Sequence, residues 1–255
     1  MGGVDYVVLP YAPGTDTRLY FQPSLSIKSE HKWHIFEYSA NDFEPKRYFE
    51  ELEEFIQLHC HEDTLVLVGH SSACRLSLEF LNHSLCYPDA IAWISPMLEP
   101  AATRSYLYQD LDPNTNLTAK LDHWCKKLIN QDCAEIAHAL IADGEVNEPL
   151  FAQFEEYLWQ LRPAKIPMAC TRLPIFALSG GLDPINSFEG LSLQLKDFYH
   201  KTITELTDIG HCAFIESPNV LSFLLDDFVT TIKDGQSSPH PDSDPHQKTP
   251  PPDLE

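Results

Sequence analysis

Thr64-Leu65-Val66-Leu67-Val68-Gly69-His70-Ser71-Ser72-Ala73 begins as a continuous apolar run, too short for a typical helix and rich in β-branched residues. Such a run predicts a strand buried on both faces. It stops at Gly69, and a helical pattern starts directly after the serines. Leu76, Phe80 and Leu81 recur at helical spacing, with Arg75, Glu79 and Asn82 between them. A small-His-Ser-X-small pentapeptide therefore sits between a buried strand and a helix.

That context suits a nucleophile elbow. A serine on so sharp a turn takes strained backbone angles, and Gly69 and Ala73 are small enough for strand and helix to approach. The turn lifts Ser71 Oγ to the carboxyl end of the sheet and aims the first helical amides at the same point. The Ser72 N–H is then an oxyanion donor. Two other readings compete. The serine can be an ordinary helix N-cap, or Ser72 can be the nucleophile, although the frame centres on Ser71.

Outward from this stretch, the pattern alternates. Val4 to Leu9 predicts a first strand, followed by the turn-rich loop Pro10-Tyr11-Ala12-Pro13-Gly14-Thr15-Asp16-Thr17. His34 to Tyr38 predicts a second, shorter strand. From Tyr48 to His59 the apolar residues share one helical face, with Glu50, Glu51, Glu53 and Glu54 mostly opposite as a solvated surface. Ala90 to Ser95 is a further buried run. This rhythm predicts a mainly parallel, doubly wound α/β sheet with helices on both faces.

Between about residues 97 and 169 no strand is apparent. Helical patterns run from Leu117 to Ile129, Cys133 to Ile141 and Leu150 to Leu161, and the segment is rich in aromatics. A helical cap over the carboxyl ends of the strands is expected, with some aromatics lining a pocket. Tyr11 and His70 beside the turn, and Trp124 and Phe154 in the insertion, are the candidates for substrate contact. The α/β pattern resumes with a strand at Pro174 to Ser179, a helix at Leu191 to Tyr199, a strand at Thr202 to Leu206 and a closing helix at Val220 to Ile232. The expected organisation is a core of residues 1–96 and 170–233, a cap of 97–169, and a disordered Pro/Ser/Asp-rich tail of 234–255.

Composition narrows the function. A chain of 255 residues with 43% hydrophobic content can bury a full core. The net charge of -21 argues against nucleic acid and anionic membrane surfaces as partners. No apolar run is long enough to span a bilayer. The amino terminus lacks a basic segment before its apolar stretch, so a cytoplasmic protein is expected. Its Gly2 start lacks the downstream Ser/Thr of a myristoylation signal. The 7 cysteines carry no CxxC pair and read as reduced thiols. His59-Cys60-His61 is dense in ligand types but has no neighbouring cluster at metal spacing, so no metal is expected. No phosphate-binding glycine loop follows a strand, and no organic cofactor is expected.

A serine hydroxyl needs a base, and the base needs a partner that fixes its tautomer. Asp183 follows a buried strand in a Gly-Gly-X-Asp-Pro turn. His211 follows the next strand after Gly210. Both lie at carboxyl-end loops of the expected sheet, where they can converge on Ser71. Asp208, three residues before His211, is the competing carboxylate. Of the 12 histidines, none of His31, His34, His59, His61, His83, His123 and His138 has the strand-end Gly-His context.

Three motifs carry a resemblance to the α/β-hydrolases: Gly69-His70-Ser71-Ser72-Ala73, Ser179-Gly180-Gly181-Leu182-Asp183, and the run from Gly210-His211 to Glu216-Ser217-Pro218. The last is similar to a segment of the pimeloyl-carrier-protein methyl ester esterases. Ala73 stands where the family form has Gly. The resemblance covers Val4 to about Ile232. It implies a serine esterase with the triad Ser71, Asp183 and His211, acting on a small acyl ester that an acyl carrier protein can present. Arg104, Arg162 and Arg172 are candidates to meet its phosphate or carboxylate. The family has His-Gly after its first shared strand; here Pro10-Tyr11 stands instead, and alignment on the strand makes the Ala12 N–H the second oxyanion donor. Pro10-Tyr11-Ala12-Pro13-Gly14 also resembles the loop of type II thioesterases, which makes a thioester the alternative substrate. A non-catalytic binding protein on the same fold is the remaining alternative. The chain begins at what resembles the family's third strand, so a smaller sheet with a shortened edge is expected.

Overall fold

A computed structural model describes residues 2–15, 17–84, 86–112, 114–133, 135 and 146–237. Among these residues six strands form one sheet: β1 (Val4–Leu9), β2 (Lys32–Ile35), β3 (Thr64–His70), β4 (Ala90–Ile94), β5 (Ile175–Gly180) and β6 (Lys201–Leu206). Their order is β2-β1-β3-β4-β5-β6. Every neighbouring pair is parallel. The α-helices among the described residues are α1 (Pro45–His59), α2 (Ser72–His83), α3 (Pro100–Leu107), α4 (Leu117–Leu128), α5 (Glu148–Gln160), α6 (Phe188–Gln194), α7 (Ala213–Glu216) and α8 (Pro218–Ser237).

The apolar runs are continuous because both faces of the sheet are covered. Val7, Leu67, Ile91 and Trp93 face one core, which α1 and α2 close with Leu52, Ile56, Leu76 and Phe80. Tyr6, Val66, Val68, Ala92 and Phe176 face the other, closed by Phe214 of α7 and by Leu221, Leu225 and Phe228 of α8. Each fully buried Val, Leu or Phe contributes about 1.5–3 kcal/mol by leaving water. The edge strands are less covered: β2 and β6 hold only exposed and half-buried residues.

The strand order creates one reversal. From β1 the chain moves outward to β2, then returns past β1 to β3. Loops leaving the carboxyl ends of β1 and β3 therefore diverge, and a crevice opens between them. Leu9 pairs with Gly69, and Gly69 pairs with Trp93. The Pro10 to Thr15 loop and the Ser71 turn thus start from the same level, side by side.

Several boundaries differ from the expectation. Helix α1 starts at Pro45 rather than Tyr48, with proline in the first turn where its missing N–H costs nothing. Strand β2 is Lys32–Ile35 rather than His34 to Tyr38. Helix α6 starts at the Ser187 cap, whose side chain accepts from Gly190 N–H, and ends at Gln194. Helix α8 continues to Ser237, and the first proline beyond it is Pro239. Helix α3 has no counterpart among the expected helices; it buries only Pro100, Thr103 and Leu107, too few for a clear period. The helix expected from Cys133 to Ile141 and the tail beyond residue 237 lie outside the described residues, apart from Cys133 and Glu135.

Candidate active site

Ser71 sits at φ 55° and ψ −118°, a left-handed backbone that costs a non-glycine residue about 1–3 kcal/mol. Three hydrogen bonds hold the turn. Ser71 N–H donates to Ile94 O at 3.0 Å, and Ser71 O accepts from Met97 N–H at 3.0 Å and Cys74 N–H at 3.2 Å. A Cβ on Gly69 would lie 3.0 Å from both Cys74 Cα and Cys74 N, so the frame needs glycine there. Ser71 does not use its hydroxyl as a helix cap. Its Oγ lies 2.8 Å from His211 Nε2.

His211 Nδ1 lies 2.9 Å from Asp183 Oδ2. The carboxylate can only accept, so Nδ1 carries the proton and Nε2 presents its lone pair to the serine. Burial alone would raise the Asp183 carboxyl. The His211 imidazole, together with hydrogen bonds from Ile185 N–H and Asn186 Nδ2, outweighs it and holds the acid below the usual carboxylate range. All three side chains are buried, at 6%, 7% and 3% relative exposure for Ser71, Asp183 and His211. Asp208 is exposed, and its carbonyl accepts from Asn130 Nδ2; it is a turn residue.

Backbone close to backbone brings the Asp183 and His211 loops together. A Cβ on Gly180 would lie 2.0 Å from Gly210 O, and one on Gly210 would lie 2.3 Å from Leu128 O. The His211 loop is then clamped. Glu216 Oε2 accepts from Gly210 N–H at 2.7 Å and from Asn130 N–H at 2.9 Å, and Oε1 accepts from Cys212 N–H at 2.9 Å. His211 N–H itself donates to Leu128 O at 2.6 Å.

A second chain runs behind the serine. His70 Nε2 lies 3.2 Å from His211 O, which can only accept, so this nitrogen carries the proton. His70 Nδ1 then accepts from Tyr20 Oη at 2.8 Å. Tyr20 Oη in turn accepts from Tyr11 N–H at 2.8 Å. The result is a directional series linking the loop after β1, the turn after β3 and the His211 loop. Burial first, and the neighbouring His211 second, push the His70 pKa down to about 3, so the ring is neutral.

The Ser72 N–H opens α2 and has no helical acceptor. Its hydroxyl donates to Tyr11 O, which ties the two loops. Ala12 is 2% exposed, its carbonyl accepts from Thr15 Oγ1 at 2.6 Å, and its N–H has no acceptor among the described residues. Both residues line the same cavity as Ser71 and His211.

That cavity has a volume of about 110 Å³ and opens to solvent. Tyr11, His70, Trp124 and Phe154 all line it, as do Leu121 and Leu158. One polar cluster interrupts its apolar wall. Glu155 accepts from Lys120 Nζ at 2.8 Å and from the Tyr108 hydroxyl, and it also borders the cavity.

Sequence reasoning missed Tyr20, which lies in a stretch with no periodic signal, and the Lys120–Glu155 pair, whose members are 35 residues apart. Glu216 stood in a quoted motif without a role. Its spacing from Gly210 and Cys212 is the only local signal.

No family model and no curated protein matches this chain. Solved structures do. An esterase from Exiguobacterium antarcticum superposes with a TM-score of 0.68 at 13% identity, over 91% of this chain and 93% of that one. A hydrolase from Oleispira antarctica gives a TM-score of 0.71 at 12% identity, over 91% of each chain. An alpha/beta hydrolase fold protein from Chitinophaga pinensis gives 0.66 at 11% identity, over 89% of each. At such identities the likeness is one of fold. The single parallel sheet, its strand order and these superpositions together establish that the chain has the α/β-hydrolase fold.

Proposed function

We propose that this protein is a serine hydrolase that cleaves a carboxylic ester through an acyl-enzyme. The observation that carries the reading is the continuous series Ser71 Oγ, His211 Nε2, His211 Nδ1, Asp183 Oδ2 on a left-handed serine turn. Buried polar groups in that order match what nucleophilic acyl transfer requires.

Ser71 Oγ attacks the ester carbonyl carbon while His211 Nε2 takes its proton. The carbonyl oxygen gains the negative charge, and the N–H groups of Ser72 and Ala12 stabilise it. Each such donor contributes about 2.7–4 kcal/mol to the transition state. His211 returns the proton to the alkoxide leaving group, and the acyl-enzyme remains. Water then enters, His211 takes its proton, and the second collapse releases the acid and restores Ser71. Asp183 holds the His211 tautomer throughout and offsets the charge of the imidazolium.

Residues 97–169 serve as the cap in this reading. The acyl chain lies in the cavity whose wall includes Leu121, Trp124, Phe154 and Leu158. The finer assignment is an acyl methyl ester presented on an acyl carrier protein, with a thioester as the alternative. It rests on the two loop resemblances and on the apolar wall. Turnover of p-nitrophenyl esters of graded chain length, beside a matched acyl-thioester, tests it. Ester hydrolysis that falls at least about a thousandfold in Ser71→Ala supports the reading. No turnover of either substrate class by the wild type sinks it.

A further inference from the structure

At the amino-terminal end of the sheet a second polar cluster is assembled from three separate elements. Asp5 of β1 is buried, and its Oδ1 lies 2.7 Å from Nε2 of His34 of β2. Asp5 Oδ2 accepts from His61 N–H at 2.6 Å and from Glu62 N–H at 2.7 Å. Cys60, the residue that ends α1, is a free thiol. One ligand atom from each of Asp5, His34 and Cys60 lies within 4.8 Å of the others. Among the described residues no other set of three or more His, Cys, Asp and Glu side chains brings its ligand atoms this close. The cluster stands on the order of 15 Å from the Ser71 end of β1, at about 3.3 Å per strand residue.

We propose that Asp5, His34 and Cys60 form a binding site for a divalent transition metal, with zinc as its occupant. Thiolate, imidazole and carboxylate together are a zinc donor set, whereas magnesium and calcium take oxygen ligands. Bond lengths near 2.0–2.3 Å put tetrahedral ligand atoms about 3.5 Å apart, so side-chain movement of about 1 Å closes the site. The carboxylate is already oriented for it. Two backbone N–H groups fix one oxygen and leave the other directed at His34, the outer support that metal-binding carboxylates have. His34 and Cys60 are half-buried, so an ion can enter from solvent.

On binding, the Cys60 thiol releases its proton to solvent, and His34 moves its proton from Nε2 to Nδ1. Water takes the fourth position. The bound ion fastens the edge strand β2 to β1 and to the end of α1. Spacing along the chain hides this arrangement, because only Cys60 belongs to the ligand-dense His59-Cys60-His61 run.

The test is a titration of the full chain with Co²⁺, used as a coloured stand-in for zinc. One equivalent should produce a thiolate-to-cobalt charge-transfer band, and Zn²⁺ should abolish it. Cys60→Ser should lose the band, and His34→Gln should weaken binding at least tenfold, with circular dichroism unchanged. A measurement on the wild type needs no variant: Zn²⁺ should slow iodoacetamide alkylation of Cys60, read by peptide mass. No saturable band, a band that survives Cys60→Ser, or alkylation of Cys60 indifferent to Zn²⁺ overturns the proposal. None of these readouts depends on ester hydrolysis.

Discussion

Glu216 brackets His211. One carboxylate oxygen takes the N–H of Gly210 at 2.7 Å, and the other takes the N–H of Cys212 at 2.9 Å. The imidazole is thereby held from both sides of its own Cα, while Leu128 O fixes its amide between them. Glu216→Gln keeps the shape but sets an N–H₂ group against a backbone donor. Turnover should fall roughly ten- to hundredfold, the scale of a displacement of about 1 Å in the base. KM should stay within about twofold, since no contact to the pocket is lost. Steady-state kinetics on p-nitrophenyl esters reads both numbers; a raised KM with normal turnover would contradict the positioning role.

Tyr20 has a comparable task. Its hydroxyl joins Tyr11 N–H to His70 Nδ1. Tyr20→Phe takes that hydroxyl away from the part-buried Tyr11 N–H and from buried His70 Nδ1, and an unmatched buried acceptor costs about 1–3 kcal/mol. Urea melts should show a loss of about 1–3 kcal/mol on that basis. A loss under 0.5 kcal/mol, roughly what a neutral surface change gives, would mean that water replaces the hydroxyl.

The acidity of His70 predicts a pH dependence of stability. Its pKa is pushed from 6.5 down to about 3 in the folded chain. Between those values the unfolded chain binds a proton that the folded chain refuses. The stability due to neutral His70 is therefore complete above about pH 6.5 and is lost as pH falls toward 3, by up to about 1.4 kcal/mol per pH unit. Unfolding midpoints from pH 7.5 to 5 should decline more steeply for the wild type than for His70→Gln. Parallel profiles would contradict a buried neutral ring.

Leu158 borders the cavity and is 2% exposed. Leu158→Trp should fill the distal pocket. Hydrolysis of long acyl esters should drop at least about tenfold, with short esters unaffected, since steric exclusion of a few methylenes is worth about 1–3 kcal/mol. A chain-length series compares the two. An equal loss at every length would place the acyl chain elsewhere.

The parts of this molecule that were legible in sequence carry local signals. The buried run to Gly69, the Gly-Gly-X-Asp turn and the Gly-His turn each announce a strand end by composition alone, and Ser71, Asp183 and His211 do meet there. Parallel topology follows from the alternation of strand and helix. What stayed hidden depends on partners far along the chain. Tyr20 meets His70 across 50 residues, and His34 meets Asp5 across 29. Helix α3 has too few buried positions to show a period. Helix ends shifted where a single cap, Ser187, or a first-turn proline, Pro45, outweighed the apolar pattern.

The central claim is that Ser71 is the nucleophile and His211 its base. The most direct measurement is covalent labelling of the full chain with a fluorophosphonate, followed by peptide mass mapping. The account predicts one adduct, on Ser71, absent in Ser71→Ala and formed at least about a hundredfold more slowly in His211→Ala, the scale of a lost general base. No adduct on the wild type, or an adduct on Ser72 that survives Ser71→Ala, would contradict it.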